Sequence, residues 1–388
     1  MDIQSLDSRY VAHTYGRFPV TLVEGKGSRI RDEQGKWYID MGSGIGVTAF
    51  GIADDVWTET VISQLRTLQH VSNLYYTAPC ALLAEELCTR TGMAKVFFGN
   101  SGAEANECAV KVARKYASER HGPERHVIVT LKNSFHGRTL TTLAATGQEH
   151  YHELFQPLTP GFAHAEAGNL EEMEKLMDTG RVAGVLVEVI QGEGGVVPVD
   201  GEYLRETARM AKERDILMMV DEVQTGNGRS GELYAYMTVG LQPDVVTTAK
   251  GLGGGLPIGA CLMGEKVQDV LTPGDHGSTY GGNPAASAGA LSVLKRIDGP
   301  LLAEVRAKSD WLFKKLTGAP GIADVRGRGL MIGILPERLS AAEAVKKCME
   351  KGVLCLTAKD RLRLLPALNI GWDCLEEAAG AILEVCGG

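Results

Sequence analysis

"DVVTTAKGLGGGLPIGACLMG", residues 244–264, decides how this chain is read. A β-branched run leads into Lys250, a glycine-rich loop follows, and a second apolar run starts at residue 259. A dinucleotide fingerprint needs a helix after its glycines, and here another strand comes next. A P-loop places its lysine after the glycines and before Ser or Thr, whereas Lys250 precedes them. Two readings of Lys250 remain. It is a solvated cation at a strand end, or it is a nucleophile toward a carbonyl, which requires surroundings that leave some amine neutral.

Working outward, similar apolar runs occur as "KVFFGN" (95–100), "HVIVTL" (126–131), "VAGVLVEVI" (182–190) and "ILMMVDEV" (216–223). Near-continuous apolar character suits strands buried on both faces, as in parallel sheets covered by helices. Between them lie segments with apolar spacings of three and four, such as those starting at residues 102 and 201. Strand and helix alternate, so an α/β domain is expected. The flanks differ. Residues 23–41 alternate around a turn at "EQGK" like a hairpin, and beyond 286 helical patterns precede the strand-like "GIADVRGRGLMIGI" and "RLRLLPALNI". The predicted division is a large domain over 51–285 and a smaller α+β domain built from 1–50 and 286–388.

With 388 residues, 44% of them hydrophobic, the chain can bury a large core. A net charge of −8 without any basic block gives no footprint for nucleic acid or an anionic membrane, which leaves small-molecule chemistry. The first residues carry acids where a signal peptide carries bases, and no apolar stretch has transmembrane length, so a cytoplasmic protein is expected. The eight cysteines form no C-x-x-C pair, and the histidines of "HGPERH" and "EHYH" lack a carboxylate at metal-binding spacing. Reduced, mostly buried thiols and no metal site follow.

Two further features keep Lys250 company. In "MMVDEVQTGNGRSG" (218–231) an apolar strand ends in Asp221 and Glu222. A carboxylate there points into the crevice where parallel sheets bind ligands, or else caps the next turn. In "FFGNSGAEANE" (97–107) a strand runs through small residues into a helix, which exposes amides to a phosphate or simply forms an N-cap with Glu104. Together, a reactive lysine, a strand-end acid and a phosphate-cradling helix start match the needs of pyridoxal 5'-phosphate (PLP).

The chain resembles the class III (ornithine-type) aminotransferases of PLP fold type I and is most similar to their acetylornithine branch. The resemblance is carried by "YGRFPVTLVEGKGSRIRDEQGKWYIDM", "VSNLYYTAP", "FFGNSGAEANE", "FHGRT", "QGEGGV", "DEVQTGNGRSG", "AKGLGGGLPIGA", "HGSTYGGNP" and "RLLPALNI", in order along nearly the whole chain. It implies a large domain with a mainly parallel seven-stranded sheet, and a homodimer with shared active sites. It also implies residue roles. Lys250 would hold the cofactor and move protons, and Asp221 would pair with the pyridine nitrogen. Ser101, Gly102 and Ala103 would take the phosphate. Phe135 would stack on the ring, Val223 would pack behind it, and Gln224 would bond the phenolic oxygen. Thr279 would reach the neighbouring subunit's cofactor phosphate, and Ser278 would lie near the substrate. Arg138 would bind the substrate α-carboxylate, with Glu193 as a gate over Arg363.

Three positions depart from the family pattern: Val189 replaces a proline, "IADDVW" replaces a His-Pro, and Lys359 stands where a glycine is usual. Tyr75 and Tyr76 are given no role. The implied activity is transfer of the terminal amine of N2-acetylornithine to 2-oxoglutarate. Ornithine, succinylornithine, 4-aminobutyrate, another ω-amine or an amino-acid racemase on the same scaffold remain as alternatives. A non-catalytic nucleotide-binding module is the reading from another class.

Overall fold

The computed structural model describes residues 2–388. Its central sheet has seven strands: β1 (Lys95–Gly99), β2 (Val127–Leu131), β3 (Phe162–Ala165), β4 (Val182–Val187), β5 (Leu217–Asp221), β6 (Val245–Thr248) and β7 (Gly259–Met263). Their spatial order is β1-β7-β6-β5-β4-β2-β3. The pairings among β2 to β6 are parallel, and β7 alone runs antiparallel to both its neighbours, β6 and β1. The fold is therefore the α/β class expected, with the mainly parallel seven-stranded sheet.

Every residue of β4, β5, β6 and β7 is buried, which accounts for the unbroken apolar runs. Alternate side chains of β5 serve opposite faces. Met218 and Val220 belong to one core cluster, and Leu217 and Met219 to a second. The second cluster is formed largely with the helix Gly102–His121.

Because β1, β5 and β6 point the same way, their carboxyl ends share one edge of the sheet, the place where α/β proteins bind ligands. Residues 244–264 cross that edge. After β6 the chain makes a short turn over Lys250–Leu252, and β7 returns beside β6 with Thr248 opposite Ala260. A Cβ on Gly259 would lie 2.1 Å from the Ser101 carbonyl oxygen, so only glycine lets β7 start so close to the helix start.

The chain ends meet in smaller sheets. Strands Leu22–Lys26, Arg29–Asp32 and Trp37–Asp40 pair in sequence, and Val353–Leu354 joins them in parallel. The turn at "EQGK" uses Gly35 at φ +90°, a conformation that favours glycine. A second four-stranded sheet contains Ile322–Arg328, Met331–Pro336, Arg361–Leu364 and Leu356–Ala358, and it carries Arg363 toward the large sheet. Helix Pro284–Arg296 packs on helices Asp55–Thr67 and Ala78–Thr91. Among the described residues no helix is long and apolar enough to cross a membrane.

Candidate active site

β1 ends at Gly99 and the chain turns through Asn100 and Ser101 into the helix Gly102–His121. Ser101 Oγ accepts from the Glu104 N–H at 3.2 Å, and the Glu104 carboxylate accepts from the Asn100 N–H at 2.7 Å. The N-cap reading and the phosphate reading thus coexist. The cap satisfies Glu104, while the N–H groups of Gly102 and Ala103 keep no acceptor among the described residues and line a cavity of about 440 Å³. A Cβ on Gly102 would stand 2.6 Å from Val223 Cγ1, so the glycine lets the helix start press against Val223.

Asp221, at the end of β5, faces the same cavity and is held by three donors. Its Oδ2 accepts from Asn106 Nδ2 at 2.7 Å and is 2.8 Å from His136 Nδ1, and its Oδ1 accepts from the Val223 N–H at 3.0 Å. Asn106 is itself fixed, because its Oδ1 accepts from Thr247 Oγ1 at 2.6 Å and its Nδ2 also donates to the His136 carbonyl at 2.8 Å. Such a carboxylate is aimed and kept ready to pair with an N–H cation.

Lys250 lines the cavity one residue after Ala249, at φ +45°, a left-handed conformation uncommon for lysine. Its Nζ has no hydrogen-bond partner among the described residues. Burial depresses its pKa, and the charge of Arg363 adds to that, while Glu193 and Asp221 oppose it. The balance favours some neutral amine, the state a nucleophile or proton acceptor needs.

Glu193 sits in the turn after Gln191 and is joined to Arg363, whose NH1 lies 2.6 Å from its Oε1. Arg363 NH1 also donates to Gln224 Oε1 at 3.0 Å, and Gln224 Nε2 donates to Glu193 Oε1 at 3.2 Å. Burial alone would raise the Glu193 carboxyl, but the Arg363 charge and hydrogen bond prevail and hold it below its usual range. Gly192 permits this cluster, since a Cβ there would meet Gln224 Oε1 at 2.4 Å.

Phe135 and Arg138 also line the cavity. The Arg138 guanidinium lies over the rings of Phe135 and Tyr151 and has no carboxylate partner among the described residues. Of the thirteen residues singled out from the sequence, ten line one cavity: Ser101, Gly102, Ala103, Phe135, Arg138, Glu193, Asp221, Val223, Gln224 and Lys250. Arg363 reaches it through Glu193 and Gln224. Ser278 touches its rim, since its Oγ accepts from Asn100 Nδ2 at 3.2 Å, and Thr279 is exposed outside it.

Asn106, His136 and Glu188 belong to this site and escaped the sequence reading. Asn106 lies one helical turn beyond Gly102, a polar residue on an otherwise buried face, which was a usable signal. Glu188 is buried and accepts from the N–H of Phe135 at 2.9 Å and of Gly192 at 3.2 Å, and burial pushes its carboxyl up to about 7.

These groups fit pyridoxal 5'-phosphate. Unpartnered helix-start amides can receive a phosphate, Asp221 can hold a ring nitrogen protonated, Phe135 and Val223 offer apolar surfaces, and the amine of Lys250 can receive an aldehyde.

The similarity to known proteins agrees with this geometry. A curated acetylornithine aminotransferase from Haemophilus ducreyi is 47% identical over 384 residues, covering 99% of this chain and 98% of that protein. A solved N-acetylornithine aminotransferase from Stenotrophomonas maltophilia superposes with a TM-score of 0.85 at 34% identity, covering 98% of this chain and 97% of that one. The ornithine aminotransferase from Toxoplasma gondii, in a structure with PLP partly occupying its active site, has a TM-score of 0.92 at 30% identity, covering 98% of this chain and 93% of that one. The family description "Aminotransferase class-III" matches residues 10–385, and with the lysine, the strand-end acid and the helix start already in one cavity, the chain belongs to the class III aminotransferases.

Proposed function

We propose that this chain transfers the terminal amino group of N2-acetyl-L-ornithine to 2-oxoglutarate, giving N-acetyl-L-glutamate 5-semialdehyde and L-glutamate, a step of arginine biosynthesis. The observation that carries this reading is the Glu193–Arg363 pair, 2.6 Å apart and electrostatically felt by Lys250. One cavity has to serve two substrates. The donor presents a terminal amine, whereas the keto acid reacts at its α-carbon and brings a carboxylate beside the reacting centre. Only the second needs a free cation there. Paired with Glu193, Arg363 is neutralised; with Glu193 swung away, its guanidinium receives the carboxylate. The unpaired Arg138 serves the donor's own α-carboxylate. The curated relative at 47% identity supports the choice of donor.

Bound pyridoxal 5'-phosphate supplies the carbonyl that carries the amino group and the ring that accepts electrons. The protein's share is binding, orientation and proton movement. Ser101 and the amides of Gly102 and Ala103 neutralise the phosphate, Gln224 orients the phenolic oxygen, and Phe135 and Val223 enclose the ring. Asp221, steadied by Asn106 and His136, keeps the ring nitrogen protonated. With the cofactor bound, the Lys250 amine would take the proton from the amine-bearing substrate carbon and return it to the cofactor carbon that carried the aldehyde oxygen.

The reading includes a homodimer with shared sites. Thr279 is exposed and outside its own chain's cavity, free to reach a partner's phosphate, and Ser278 beside it reaches the cavity only through its hydrogen bond from Asn100. Leu74, 86% exposed, and the fully exposed Tyr76 are large apolar groups that a partner subunit covers. A panel of amine donors with 2-oxoglutarate, compared by kcat/KM, tests the assignment. Acetylornithine should lead, and a higher value for ornithine, succinylornithine or 4-aminobutyrate would overturn it.

A further inference from the structure

The turn that carries Glu193 is clamped between two pieces of chain remote in sequence. On one side, a Cβ on Gly194 would lie 2.7 Å from the Asn133 carbonyl oxygen. On the other, a Cβ on Gly195 would lie 3.0 Å from Arg326 NH2, with the Ala358 carbonyl oxygen at 3.8 Å and Asp360 Oδ1 at 3.9 Å in ordinary contact. The flanking residues are tethered. Gln191 Nε2 donates to the Lys132 carbonyl at 2.8 Å, the Gly192 N–H donates to Glu188, and Arg326 Nε donates to the Gly195 carbonyl at 3.0 Å. Among the described residues the Glu193 backbone has no such tether; it sits between Gly192 and Gly194.

Lys359 closes the clamp. Its Nζ donates to Asn133 Oδ1 at 2.5 Å, so a side chain from the bend at 358–360 reaches the far side of the turn. Both residues of this bridge have left-handed backbones, Lys359 at φ +52° and Asn133 at φ +65°. Asparagine tolerates that conformation readily, while lysine does so at a cost that a glycine would avoid. Lys359 is also where the family pattern has glycine, so this chain departs from it with a strained residue whose side chain ties the bend at 358–360 to Asn133.

We infer that Lys359 and Asn133 form a latch that biases the Glu193 turn toward its pairing with Arg363, making Lys359 a positioning residue that tunes the balance between the two half-reactions. The inference rests on the gate role given to Glu193 above. The latch favours the arrangement used for the terminal amine, because it resists the displacement that frees Arg363. Opening it costs one exposed, charged hydrogen bond, which is screened by solvent and therefore shifts the balance without abolishing either half-reaction.

The test measures single-turnover kcat/KM for the acetylornithine and glutamate half-reactions separately in the PLP-loaded enzyme. Lys359→Met, which keeps the chain length and loses the donor, should raise the glutamate-to-acetylornithine ratio by roughly two- to fivefold, the range expected for a single exposed charged contact. Asn133→Gly, which keeps the backbone conformation and loses the acceptor, should do the same, and Lys359→Arg should restore the parent ratio. In a Glu193→Ala background Lys359→Met should change nothing further. A Lys359→Met ratio equal to the parent's, while Glu193→Ala alone shifts it, would overturn the latch and leave the gate standing. An unchanged ratio in Glu193→Ala would remove the gate, and the latch with it. A Lys359→Met effect that persists without Glu193 would show that Lys359 acts on the substrate directly.

Discussion

His136 Nδ1 lies 2.8 Å from Asp221 Oδ2, with the imidazole fully buried and the carboxylate 4% exposed. The other ring nitrogen, Nε2, is buried without a partner among the described residues, so the ring's polar contact is spent on the acid. Asn106 donates to the same oxygen. If Asp221 keeps the ring nitrogen charged, Asp221→Asn should fold and bind PLP but lose more than about a hundredfold in kcat, equivalent to about 2.7 kcal/mol. His136→Phe should lose less, about tenfold, because it removes one support of the acid and leaves the acid itself. Steady-state kinetics with circular dichroism as the folding control decides, and a parent-like rate in Asp221→Asn would make that residue a structural cap.

Lys250 is the second point of test. Borohydride reduction of the PLP-loaded protein should fix a phosphopyridoxyl group on Lys250, found by peptide mapping. Lys250→Ala should lose at least roughly 10² to 10⁴ in turnover, the usual size of a general acid–base contribution, while still retaining PLP through phosphate and ring contacts. A label on any other lysine would sink the assignment.

Glu222 offers a pH test outside the reacting centre. Its carboxylate accepts from Thr225 Oγ1 at 2.6 Å and from the Tyr236 N–H at 2.7 Å, and no cation pairs with it among the described residues. Burial pushes it up to about 7 from the ordinary 4.5. A raised folded-state pKa gives stability that is complete below about 4.5 and is lost as pH rises through about 7. The loss for one such buried carboxyl is at most about 3.5 kcal/mol. In Glu222→Gln the amide oxygen keeps the Tyr236 bond and the amide nitrogen donates to a rotated Thr225 hydroxyl. The variant's urea midpoint should therefore fall less than the parent's between pH 5 and pH 8. Parallel curves for the two proteins would contradict the raised pKa.

Legibility in the sequence followed the range of the interactions. Asp221 and Lys250 stand at the ends of buried strands, so the pattern that announces β5 and β6 also announces them. The phosphate cradle is equally local, being the first turn of one helix. Glu193 and Arg363 are 170 residues apart, and nothing near either one marks the other; only resemblance to a family joined them. His136 was missed for the same reason, since it meets Asp221 from 85 residues away, and so was the pairing of Asn106 with Asp221 across 115 residues, although Asn106's place on a buried helix face was a local sign. The antiparallel sense of β7 was likewise not written in its apolar residues, which read like those of its parallel neighbours. It follows from the short loop across the sheet edge, too short for a helical crossover.

Thr279 is exposed and lies outside the cavity of its own chain. If it contacts the phosphate in a partner subunit, Thr279→Asp should impair the partner's site through charge repulsion and leave the Lys250 of its own chain intact. Lys250→Ala has the opposite defect. In a hybrid dimer of the two, one site combines both lesions and is dead, while the other takes its Lys250 from one subunit and its Thr279 from the other and is whole. Random re-pairing of equal amounts makes about half the dimers hybrid, each with one intact site of two, so activity should recover to about a quarter of the parent's. If each site were built from a single chain, every site in every hybrid would carry one lesion. Dimers re-formed from the two inactive parents, with hybrids verified by differential tagging, would then stay inactive, and that outcome would end the shared-site reading.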